Sequence, residues 1–238
     1  MRKIIILLLV CIITKAVIAA APPIDTSKIP KAPYIMEELD IVSINVEWDV
    51  ATIKKLLPPK LGLNDSSKLF GGISIFSSKK KQFFSPLSGA LLWVQVDPNK
   101  NEDIGRWVFY STFGPNTLIN RIMNEVYRAN SSLGSSRVTV LDKKIGARAN
   151  VNKKNIINAS IEVTQECEPA EGQNKFYSYS NNVEVVSSNV TWTTKEVCPA
   201  LTKGLKFGSE LSDVKVVKYL SANFFKQLNL EISNPSKN

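Results

Sequence analysis

The 238-residue chain contains no histidine, and this limits its chemistry at once. Ser-His-Asp and Cys-His nucleophile pairs, His-based metal sites and imidazole proton relays all need the missing ring. Proton transfer or covalent catalysis is left to Lys, Asp/Glu, Tyr and Ser. The lysines gather as Lys79-Lys80-Lys81, Lys143-Lys144 and Lys153-Lys154, in segments that read as turns, where Lys is ordinarily solvated. No aromatic residue interleaves with them as a stacking platform would require, so no nucleic-acid partner is expected. The oxygen-rich run Asp97 to Asp103 invites a calcium reading. It lacks Gly at the sixth position and places Val108 where the bidentate Glu belongs, so it reads as a polar hairpin turn. No metal and no cofactor is expected. Trp93, Trp107, Phe109 and Tyr110 lie on adjacent predicted strands. Most of these side chains read as core, but two wide strands facing each other can line an apolar cavity, the usual form of a small-molecule site.

Three cysteines are present. Residues 1–21 run from the basic Met1-Arg2-Lys3 through an apolar stretch, Ile4 to Thr14, to small residues ending at Ala21, which is the pattern of a secretory signal peptide. Its apolar run is shorter than the roughly 20 residues a spanning helix needs, and no later segment is more apolar. A soluble protein, secreted or periplasmic, without an integral membrane span is therefore expected. Cleavage removes Cys11, and with Arg2, Lys3 and Lys15 it lowers the net charge from +9 to +6. Cys167 and Cys198 remain, an even number in an oxidising compartment, and a disulfide between them is expected. Asn64, Asn130, Asn158 and Asn189 each begin an Asn-x-Ser/Thr sequence, a glycan acceptor if the source is eukaryotic.

The elements that must position any site are mostly strands. Residues 22–40 read as an extended lead-in. Ile44, Val46 and Trp48 then alternate with polar neighbours as a half-buried strand. Asp49 caps a short helix, Val50 to Leu57, stopped by Pro58-Pro59. Gly72–Ser77, Ala90–Val96 and Trp107–Phe113 follow as strands. Asn116 caps a longer helix in which Leu118, Ile119, Ile122, Met123, Val126 and Tyr127 recur at three- and four-residue spacing. Further strands are read over Arg137–Leu141, Ile156–Val163, Lys175–Ser180, Val183–Thr194 and Val214–Leu220. Ala222–Leu228 is taken as a closing helix or turn. With no internal repeat and no flexible linker, residues 22–238 form one domain, α+β around a large, mostly antiparallel sheet or cone-like β-barrel.

Two stretches carry a resemblance. Leu39-Asp40-Ile41-Val42-Ser43-Ile44-Asn45-Val46-Glu47-Trp48-Asp49, with Ala51–Leu57 and Pro58-Pro59-Lys60-Leu61, resembles the opening strand, helix and Leu-Leu-Pro exit of the acetoacetate decarboxylase family. Gly114-Pro115-Asn116 through Val140 resembles that family's Asn-initiated helix and following strand, with Glu125 on the helix Glu and Arg137-Val138-Thr139-Val140 on the strand. The resemblance implies a cone-like barrel with a central cavity, a β-keto acid substrate and a homo-oligomer. It also implies a lysine pair, the first forming a Schiff base and the second lowering its neighbour's pKa by like charge.

Those two positions are Ser131 and Ser132, and the preceding Gly and Pro are Arg128 and Asn130. No Lys lies between Lys100 and Lys143, and no carboxylate stands at Ser85–Gly89, where the family has a Tyr-x-Glu. A serine cannot form an imine. The expectation is therefore an exported decarboxylase-like barrel that binds a small organic or apolar ligand without Schiff-base catalysis. Glu125, Arg128, Ser131 and Ser132 would then be polar groups at the pocket, with Arg128 toward an acidic ligand. The alternative is an active decarboxylase or related lyase using a relocated lysine, Lys143 or Lys144.

Overall fold

Strict alternation drives the first strand. In the computed structural model, β1 (Tyr34–Trp48) buries Val42, Ile44, Val46 and Trp48 almost completely while Ile41, Ser43 and Asn45 face the other way, as the two-residue period of a strand dictates. The described residues are 29–57, 68–81, 85–96, 104–180 and 184–237. The chain divides into two units, Met1–Pro30 and Lys31–Asn238, and the fold is that of the second. The signal-peptide segment and the Asp97–Asp103 run lie outside the described residues.

After β1, the Asp49 carboxylate accepts the Thr52 N–H at 2.8 Å and starts α1 (Val50–Leu56). Strands β2 (Leu69–Ser78), β3 (Leu87–Val96) and β4 (Gly105–Pro115) form antiparallel neighbours. Asn116 accepts the Leu118 N–H at 2.9 Å and caps α2 (Thr117–Glu125). The rest is β: β5 (Ser132–Leu141), β6 (Lys144–Val151), β7 (Lys154–Val163), β8 (Glu168–Ser180), β9 (Glu184–Phe207), β10 (Val216–Ile232) and β11 (Ser236–Lys237), with a 3-10 turn at Ser209–Leu211.

Among the described residues the strands make one eleven-stranded sheet, ten of them in the order β10-β1-β2-β3-β4-β5-β6-β7-β9-β11, with β8 off this path. It is antiparallel except where β4 meets β5 and β8. The length of β9 closes it. Residues Ala200–Phe207 pair with β7, and Val190–Ala200 pair with β10, so the sheet returns to its first strand. A second closure runs over the opposite face, because β8 pairs with both β4 and β9. Strands β1 to β4, β9 and β10 are thus a wall shared by two enclosures. On one side Ile44, Leu92 and Phe224 pack with Ile145, Ala147, Ile157 and Ile161 as a dry core. On the other side, under β8, lies a cavity.

Three sequence readings change. The lead-in is paired strand from Tyr34 onward, because Tyr34–Met36 and Leu39 pair with the end of β10 and Asp40 with Ser77 of β2. Ala222–Leu228 is strand, with Ala222 and Phe224 to the core and Asn223 and Phe225 to the cavity. Its period is broken by Gln227, at φ 52° opposite a register shift in β1, and a bulge of this kind hides a strand's alternation. Strand β6 was absent from the reading. Its inward residues include Ala147 and Ala149, which signal strand weakly. The Cys167 and Cys198 sulfurs are bonded at 2.01 Å, joining the segment before β8 to β9. Among the described residues no helix is long and apolar enough to cross a membrane.

Candidate functional site

The cavity follows from side chains that alternation sends away from the core. Register places Phe225, Ile41 and Phe76 side by side across β10, β1 and β2. The Phe76 ring lies 5.6 Å from that of Phe113. It crosses β3 at Gly89, where a Cβ would stand 2.6 Å from it. One step of two residues along the wall, about 7 Å, the row becomes Asn223, Ser43 and Ser74. A further step gives Asn45, Gly72 and Trp93. Gly72 is required here because a Cβ would meet the Trp93 ring at 2.7 Å. The cavity volume is about 230 Å³, below the roughly 300–1,000 Å³ of drug-sized sites.

Arg106, at the start of β4, is the one cation among the described residues lining this space. Its guanidinium lies 4.2 Å from the centre of the Trp93 ring and 5.9 Å from that of Phe176. Burial lowers its pKa to about 10. The Trp93 Nε1–H is buried and has no acceptor. Opposite, Tyr127 closes the lining, its hydroxyl donating to Ser233 O at 2.9 Å. Burial, and after it the neighbouring Tyr34, raises the Tyr127 pKa well above the usual phenol range.

The four residues singled out by resemblance sit beside this cavity rather than in its lining. Past α2 the chain alternates: Tyr127 and Ala129 line the cavity, while Arg128 and Asn130, both at positive φ, are exposed. Ser131 is buried and clamped by two asparagines one helical turn apart. Asn124 accepts its N–H and donates to its carbonyl at 2.8 Å, and Asn120 donates to its hydroxyl at 3.2 Å. Ser132 opens β5 opposite Thr112. Glu125 accepts from Arg121 Nε at 3.3 Å through one oxygen, and its other oxygen is buried without a partner.

Trp107 belongs to the dry core, and Phe109 and Tyr110 pack against it. Trp93 is the one of the four aromatics with a role at the site, as the platform for Arg106. Lys143 lies in the exposed β5–β6 turn, at a second cavity of about 690 Å³ beside the disulfide. Lys144 is exposed at the start of β6. The cluster of metal-ligating types found among the described residues, Cys167, Glu196 and Cys198, has both sulfurs bonded to each other. Sequence reasoning missed Arg106, although a single Arg preceding Trp107 and Phe109 at the opposite parity was a usable signal.

No family profile matches the chain, and no curated protein matches it in sequence. Solved structures do match in fold. An acetoacetate decarboxylase from Legionella pneumophila aligns with TM-score 0.69 and 13% identity over 88% of each chain. The enduracididine biosynthesis enzyme MppR, complexed with pyruvate, aligns with TM-score 0.66 and 11% identity over 92% of this chain and 95% of that one. An acetoacetate decarboxylase-like enzyme from Sphingomonas wittichii aligns with TM-score 0.59 and 12% identity over 92% and 98%. The chain has the acetoacetate decarboxylase-like fold.

Proposed function

We propose that this protein is an exported member of the decarboxylase-like fold class that holds a small organic ligand in its cavity and makes no Schiff base. The observation that carries the reading is the lining itself. Among the described residues no lysine reaches the cavity, and Ser131, at the matching position of the lysine pair, spends its polar atoms tying α2 to β5. An imine needs an unprotonated amine at the carbonyl, and the group supplied here is a guanidinium on an indole. Fold alone does not carry activity across so low an identity. Glu125, Arg128 and Ser132 enter this reading as supports of the loop that brings Tyr127 and Ala129 to the ligand. The signal peptide over residues 1–21 and assembly into a homo-oligomer belong to the same reading.

Borohydride trapping with acetoacetate, followed by peptide mass analysis, tests it. The expected result is no adduct on any lysine, together with a small molecule retained or taken up in native mass spectrometry. An adduct on Lys143 or Lys144 would overturn the reading in favour of a relocated-lysine lyase. N-terminal sequencing of exported protein should begin near Ala20 or Pro22.

A further inference from the structure

The cavity has two unlike ends. Along the shared wall the Phe225–Ile41–Phe76 row, extended by Phe113, is wholly apolar. Two register steps away, about 13 Å along the strands, stands the row of Asn45, Gly72 and Trp93 that carries Arg106. Between them lie the hydroxyls of Ser43 and Ser74. Arg106 has no hydrogen-bond or ion-pair partner among the described residues; its recorded contacts are the Trp93 and Phe176 rings. A desolvated cation without a counter-charge is costly, and an anionic ligand would offset that cost. The unaccepted Trp93 Nε1–H is a second donor without a partner on the same platform.

Resting on the binding reading above, we infer that the ligand is a carboxylate with a medium-length apolar tail. Its headgroup meets Arg106 beside Trp93, and its tail crosses the Phe76, Phe113 and Phe225 row. A planar guanidinium matches a carboxylate's two oxygens. The separation of the two ends suits a medium-length chain better than a short keto acid. Volume agrees, since a space of about 230 Å³ accommodates an acid of octanoate's size.

Calorimetric titration of the full-length mature protein with octanoate, 1-octanol and acetoacetate tests this. Octanoate should bind about 10- to 100-fold more tightly than 1-octanol, the range of one charge-assisted headgroup contact, and more tightly than acetoacetate, which has the headgroup but lacks the tail. Arg106→Met should bring octanoate down to 1-octanol. Since the guanidinium makes no ion pair or hydrogen bond among the described residues and its contacts are the Trp93 and Phe176 rings, the variant should lose no more than about 1–2 kcal/mol and stay folded. If it does unfold, carboxyl-labelled octanoate followed by NMR on the parent protein decides instead. The bound headgroup should titrate below its free value, and an unshifted titration would overturn the inference. Equal affinity for octanoate and 1-octanol would remove the headgroup contact and leave the binding reading standing. Equal affinity for octanoate and acetoacetate would remove the tail. Binding of none of the three, with no retained molecule, would sink the binding reading and this inference together.

Discussion

Leu91 and Leu92 are neighbours on β3 with the same side chain, and they belong to two different solvents. Leu92 is fully buried among Ile44, Ile75 and Ala147 in the dry core, while Leu91 lines the cavity under β8. The same division runs along β1, where Val42, Ile44 and Val46 face the core and Ile41, Ser43 and Asn45 face the cavity. On the core side, β5, β6 and β7 close tightly with small residues such as Ala147, Ala149 and Ala159. On the other side, among the described residues, β8, Met123 of α2 and the stretch after α2 cover the wall. The wall is therefore a stability element on one face and the lining of a cavity on the other. Away from the bulges, a single residue step along a shared strand changes which of the two a side chain serves.

The sharpest way to break this division is to truncate both leucines. Leu92→Ala should cost about 2–5 kcal/mol, the range of a large-to-small change in a close-packed core. Leu91→Ala should cost about 1 kcal/mol or less while admitting a longer ligand. Urea unfolding and titration with a series of acids would measure the two, and equal stability losses would erase the distinction.

Next in size is Gly72→Ala. The new Cβ would stand 2.7 Å from the Trp93 ring and 2.9 Å from Ile44 O. Ring and guanidinium must shift, with a stability cost of about 1–3 kcal/mol and weaker ligand binding. A variant that keeps its full affinity would show that the Trp93 platform does not set the binding end.

The smallest effect comes from the cavity's phenol. Tyr127→Phe should cost about 0.5–1.5 kcal/mol for the lost hydrogen bond to Ser233 O. Its pKa is raised in the folded state, by burial first and Tyr34 second. Its contribution is thus fully present below the unfolded phenol's pKa, near 10, and is lost as pH rises through the folded value. Tyr110, pushed up to about 12 by burial and then Glu210, acts in the same sense from the core side. Stability measured from pH 9 to 12 should fall less steeply in Tyr127→Phe than in the parent. Identical slopes would mean that the cavity end is wetter than the core end by more than the structure shows.

Much of the frame was legible in the chain. The β1 alternation, the Asp49 and Asn116 caps and the paired cysteines are local or nearly local signals, and each appears as read. The longer strands were clipped. Bulges near Gln227 interrupt β10, and alanines dilute the pattern in β6. The site was less legible because it has no contiguous motif. Ile41, Phe76, Arg106, Phe113 and Phe225 come from four strands, and in sequence each resembles any other half-buried residue.

The sequence by itself determined that no imidazole is available and that serines stand at the matching lysine positions. It also determined that a strand-rich domain with one expected cystine follows the N-terminal segment. These facts depend on residue identity and on contacts within a few positions, which the chain states directly. Tertiary structure alone decided which face of each strand meets the core and which meets the cavity. That choice depends on where β9 divides between β7 and β10 and on β8 crossing from β4 to β9. Only those long-range pairings place Arg106 on Trp93 at one end of an apolar cavity. Burial there desolvates the guanidinium, and this placement is what the proposed binding of an acid rests on.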